Sequence, residues 1–125
     1  MTIQISDNKL IQEVQDEFQR EYPFLKLEFY RPQTKSQKVN LRRQAISGSS
    51  PIEAIRRIDA TGLLDISENR SISEVEDDLK NIFGLYVEVF RKSGNLWIET
   101  TLTHQWSLHR QNLEGRQMSQ NQLVN

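Results

Sequence analysis

Leu10, Ile11, Val14, Phe18 and Tyr22 recur at three- and four-residue spacing, which lays one apolar stripe along a helix. Ile72, Val75, Leu79, Ile82 and Phe83 repeat that stripe later in the chain. Asp7 is placed to cap the first helix, because a short side-chain acceptor can take one of the orphan amides of an opening turn. Ser71 with Glu74 reads as a capping box for the second. Pro23 and Gly84 stop the two helices, and the period then changes from helical to two. Leu25, Leu27 and Phe29 alternate with Lys26, Glu28 and Tyr30, and Leu85, Val87 and Val89 with Tyr86, Glu88 and Phe90, so each set predicts a strand with one buried face. Lys92-Ser93-Gly94-Asn95 predicts a turn, since Gly94 is free to take positive φ, and Leu96–Thr101 returns as the hairpin partner. The earlier copy has a longer turn around Pro32–Gln37 and a weaker return strand over Val39–Arg43. Short strands are expected at Thr2–Ile5 and Leu63–Ile66. A weaker helix is expected after each hairpin, one from Pro51 with Ile52, Ile55 and Ile58 inward, the other carrying Trp106, Leu108 and Leu113. The polar stretch 117–125 reads as a frayed tail.

These parallels amount to an internal repeat. With an offset of 61, Ile5, Ser6, Asn8, Ile11, Glu13, Val14 and Asp16 fall on the identical Ile66, Ser67, Asn69, Ile72, Glu74, Val75 and Asp77. After a one-residue slip, Leu25, Glu28 and Arg31 fall on Leu85, Glu88 and Arg91. Several matches are polar, which amphipathic patterning alone does not require. The expected fold class is therefore α+β: two βαββα units, about 1–60 and 61–116, in one domain. Their helices pack mainly on one face of an antiparallel or mixed sheet, which is expected to be continuous, since neither half alone buries enough surface.

The 125 residues suit one domain. Sixteen basic against seventeen acidic residues give a net charge of −1, which argues against a dedicated nucleic-acid binder. The absence of cysteine excludes disulfides, thiolate metal sites and a cysteine nucleophile. No apolar run reaches the length of a membrane span or a signal-peptide core, so the reading is of a cytoplasmic protein without membrane contact. His104 and His109 stand five apart, not at the four-residue spacing of a helical metal pair. No metal, cofactor or catalytic residue is assigned.

The stretch FGLYVEVFRKSGNLWIETT resembles small bacterial proteins to which no activity is attached. They share a helix ending in Phe-Gly-Leu (here Phe83, Gly84, Leu85), a Val-Phe-Arg-Lys-Ser-Gly-Asn hairpin (Val89 to Asn95) and a Trp in the return strand (Trp97). The likeness covers mainly Ser71 to Gln111. Such proteins often carry acidic residues before a second Trp, where this chain has His104 and Gln105 before Trp106. The resemblance implies no chemistry.

Two sets of residues stand out as candidate sites. A four-residue hairpin loop would set Phe90 opposite Trp97 and Glu88 opposite Glu99, with Tyr86 on the same outer face. Three aromatics exceed what solvent exposure needs, and opposed carboxylates repel unless a cation intervenes. Tyr86, Phe90, Trp97, Glu88 and Glu99 are thus the partner-binding candidates. The plainer alternative has the C-terminal helix covering this face, with Arg31 or Arg42 neutralising the acids. The second set is basic: Arg31, Lys35, Lys38, Arg42, Arg43, Arg56 and Arg57 against Glu53 give a local balance of +6 over residues 31–57. Of these, Arg31, Lys35, Lys38, Arg42 and Arg43 are the anion-binding candidates. The sequence thus favours a non-catalytic protein-interaction or assembly module, pairing with itself as a homodimer or with another protein. Its alternatives are nucleic-acid or phosphate binding through 31–57, then a small enzyme using Glu88 and Glu99.

Overall fold

In the computed structural model, which describes residues 1–32 and 44–124 (the last four by backbone alone), the chain is α+β. The described elements are β1 (Thr2–Ile5), α1 (Ile11–Glu21), β2 (Leu25–Tyr30), β3 (Gly62–Asp65), α2 (Ile72–Asn81), β4 (Tyr86–Ser93), β5 (Leu96–Glu99) and α3 (Leu108–Val124). Short 3-10 turns occupy Ile52–Ile55 and Thr101–Thr103. The predicted return strand over 39–43 lies outside the described residues.

The two apolar stripes form the core except at Leu10 and Ile82, which the structure leaves exposed. Ile11, Val14 and Phe18 of α1 and Ile72, Val75 and Leu79 of α2 are fully shielded, and they pack with Leu25, Leu27, Phe29, Val87 and Val89 of the strands. Each such side chain contributes about 1.5–3 kcal/mol of burial. Ile3, Ile5, Leu64 and Ile66 join the same cluster from β1, β3 and the residue after it.

The strands form two antiparallel ladders rather than the single continuous sheet expected: β1 with β3, and β2–β4–β5. Contacts of α1 with both β1 and β2, and of α2 with both β3 and β4, give the reason. Each helix stripe serves both ladders, so the strands it joins do not meet edge to edge. The first ladder is centred on Ile3 opposite Leu64, and the second sets Glu28 opposite Glu88. Every β1–β3 and β2–β4 pair thus joins the first half of the chain to the second.

Helix starts are tied down by backbone from distant loops. Ile11 and Gln12 donate to the carbonyls of Ser50 and Gly48, and Ile72 and Ser73 to those of Trp106 and His104. In return, Ile52 and Glu53 donate to Lys9 and Asp7, and Leu108 and His109 to Arg70 and Glu68. The Ser71–Glu74 capping box is present in both directions, at 3.1 and 3.2 Å. At α1 the cap is Leu10, not Asp7; Leu10 lacks a hydroxyl, so only the Glu13 carboxylate reaches back to its N–H, at 3.0 Å. Asp7 instead pairs with Arg56. That pairing also accounts for the shortened helix after Pro51: Arg56 turns to extended backbone, and its guanidinium reaches Asp7 and the carbonyls of Ala60 and Phe83. At the other end, helix α3 continues to Val124 where composition suggests a tail.

Candidate interaction face of the three-stranded sheet

Strand alternation gives the three-stranded sheet two chemically different sides. Leu25, Leu27, Phe29, Val87 and Val89 point to the helices. Lys26, Glu28 and Tyr30 of β2 share the opposite side with Tyr86, Glu88, Phe90 and Lys92 of β4 and with Trp97 and Glu99 of β5. All five partner-binding candidates therefore lie on one face. Their register differs from the expected one by two residues. The hairpin closes through Gly94 and Asn95 alone, with Ser93 opposite Leu96 and Gly94 at φ 64°. A two-residue loop matches the strand twist best. Phe90 consequently faces Glu99, Lys92 faces Trp97, and the carboxylate opposite Glu88 is Glu28. A slip of two keeps every side chain on its side, which is why the face survives the error.

Among the described residues, Lys26 brings a cation to Glu28 and the aromatic rings. Its Nζ lies 3.2 Å from Glu28 Oε1, 4.9 Å from the centre of the Trp97 ring and 5.8 Å from that of Phe90. Lys80 approaches the Tyr86 ring at 5.9 Å. Lys26 carries no apolar signal and is absent from the sequence-derived set; its phase with Glu28 and Tyr30 was the available clue. The C-terminal helix does not cover this face. It packs through Gln111, Asn112, Gly115 and Ser119 against Arg91, Phe24 and the hairpin backbone, and Arg91 is in phase with Val87 and Val89. Among the described residues, no helix lies on the aromatic side.

Of the anion-binding candidates, Arg31 alone falls among the described residues. Arg31 is exposed and directs Nη1 to the Ala54 carbonyl at 3.4 Å, while Lys35, Lys38, Arg42 and Arg43 lie outside the described residues. Arg56 is committed: its side chain is 1% exposed and held 2.6 Å from Asp7. The histidines diverge. His104 Nε2 lies 2.6 Å from Glu76 Oε1, and His109 is a loose 3.7 Å from Glu68 at the surface. Glu76 also accepts the Val89 N–H, while Thr100 Oγ1 donates to the Val89 carbonyl, so the two side chains cap the edge of β4 beyond the reach of β5. Burial pushes the Glu76 carboxyl above the ordinary glutamate range, against the opposing pull of His104 and the Val89 amide. Among the described residues, no group of three His, Asp or Glu side chains is arranged to hold a metal ion, and no helix is long and apolar enough to cross a membrane.

No family model matches the chain, and neither does a curated protein or a solved structure.

Proposed function

We propose that the protein is a non-catalytic interaction module that associates with a second copy of itself through the outer face of its three-stranded sheet. The carrying observation is the grouping of Tyr86, Phe90 and Trp97 with charges of both signs on a side where no described helix packs. Large aromatics anchor interfaces because they exchange much surface at little entropic cost. The charges suit a twofold contact. Lys92 sits nearest the hairpin turn, Lys26 and Glu99 lie level with Phe90, and Glu28 lies farther along the strands. An antiparallel copy brings Lys92 of one chain toward Glu28 of the other, the self-complementarity that an isologous interface needs. A net charge of −1 adds little repulsion between copies.

Light scattering and sedimentation test this directly. The wild type is expected to dimerise with rising concentration, and the double variant Phe90→Ala, Trp97→Ala to remain monomeric with its thermal unfolding largely intact. A wild type that stays monomeric at high concentration sinks the proposal. Global unfolding of the double variant assigns the aromatics to the interior instead.

We also infer that the chain descends from a duplicated βαββα unit. Residues equivalent under the offsets of 61 and 60 meet at the centres of the ladders, Ile3 with Leu64 and Glu28 with Glu88. The loop-to-helix hydrogen bonds recur in both halves. An experimental structure in which residues 5–31 and 66–91 follow different strand–helix–strand paths would overturn this reading.

A further inference from the structure

We propose that Arg91 and Arg110, held together by Trp106, form a binding site for a small oxyanion on the helix side of the sheet. Arg91 occupies a core position. It lies in phase with Val87 and Val89, opposite Leu25 and Ile98, and is 8% exposed. Arginine is rarely buried without a carboxylate, because withdrawing its charge from water costs several kcal/mol unless an opposite charge returns it. Among the described residues no carboxylate lies within ion-pair distance of Arg91. Its Nη1 donates to the neutral Gln111 Oε1 at 2.9 Å, and its Nε is buried with no hydrogen-bond partner among the described residues.

The surroundings intensify the need for an anion. The Arg91 guanidinium lies 5.7 Å from the centre of the Trp106 ring, and that of Arg110 only 3.7 Å from it. Two guanidinium groups thus lie near one indole, and no ion pair serves the exposed Arg110 either among the described residues. The intervening residue is locked in place: Gln111 Nε2 donates to the carbonyl and the hydroxyl of Thr103, both at 2.7 Å. Gln111 is therefore spent on orienting Arg91 and offers no charge. The opening amides of α3 are spent as well, on Arg70, Glu68 and Ser107, so the positive potential belongs to the arginines. A guanidinium fork matches the paired oxygens of a carboxylate or a phosphate. A group of that kind, on a free metabolite or on a modified side chain, would balance both charges.

The test uses the full-length chain carrying Trp97→Phe, which leaves Trp106 as the sole indole. Its fluorescence and thermal midpoint are followed during titration with inorganic phosphate, and separately with acetate, at ionic strength held constant by sodium chloride. A saturable fluorescence change with a rise in midpoint is expected for one of them; which one identifies the site as phosphoryl- or carboxyl-binding. Arg110→Gln, at an exposed position, should weaken the response about tenfold or more while the fold persists. Arg91→Met should abolish it and leave stability equal or higher, because an unpaired buried charge is exchanged for an apolar chain of similar length. If neither anion gives a saturable response, or if the response is unchanged in both arginine variants, the pair is a structural stack and the proposal is wrong.

Discussion

Tyr22 shows how one side chain can combine packing with a polar duty. Its ring lies 5.4 Å from that of Phe18 inside the core, and its hydroxyl donates to the Ile66 carbonyl at 2.5 Å. Burial, with the charges of Glu68, Glu21 and Asp65 behind it, pushes the phenol up to about 12. A raised pKa in the fold means that the neutral form is the stabilising one. This contribution is complete below the ordinary tyrosine value near 10 and is lost as the pH rises from there through about 12. Absorbance at 295 nm should show one phenol ionising late, together with alkaline unfolding, and Tyr22→Phe should remove that step. Phe18 has the simpler role. It is fully buried, so Phe18→Ala should cost about 3–5 kcal/mol in denaturant unfolding; a loss under about 1 kcal/mol would contradict its place in the core.

Among the elements, α3 depends most on close approach. A Cβ on Gly115 would come within 2.9 Å of Phe24 Cβ and 3.0 Å of Arg91 Cγ, with the Lys92 carbonyl at 3.2 Å. Gly115→Ala should therefore push the helix off the sheet, costing about 1–3 kcal/mol of overpacking. The better helix propensity of alanine returns up to about 1 kcal/mol. A net loss of about 1 kcal/mol is expected by chemical denaturation, and an unchanged or raised midpoint would show that α3 yields without strain. The helix carries only a weak apolar stripe, so the small residue that lets it dock matters more than its few hydrophobic ones.

At the scale of the molecule, the ladders join residues before 31 to residues after 61 in both sheets. Neither half holds a strand partner for its own β1 and β2, or for its own β3, among the described residues. Fragments 1–60 and 61–125 should each lack a cooperative unfolding transition when made separately, and should gain one when mixed. A fragment that unfolds cooperatively by itself would show that the halves are independent units. The same interleaving explains why a lean apolar fraction of 36% supports a single core: the two helix stripes and both ladders share it.

The sequence by itself determined helices α1 and α2, strands β1 to β5 and their buried sides. Those properties are set by local periodicity, and both alternating runs and both apolar stripes lie where the pattern placed them, apart from Leu10 and Ile82, which are exposed. The Ser71 cap was legible because its partner is three residues away, and the aromatic face was legible because alternation survives an even slip of register. What tertiary structure alone decided is which groups meet. Glu88 faces Glu28 rather than Glu99 because a two-residue turn set the hairpin register and β2 supplied the other neighbour. Asp7 left the helix cap for Arg56, 49 residues away, since a buried guanidinium demands a carboxylate more strongly than a helix end does. Arg91, Trp106 and Arg110 converge only once α3 has docked across β4. An arginine in phase with Val87 and Val89 was the single hint of it in the chain, because the strand period reports which way a side chain points but not what it will find there.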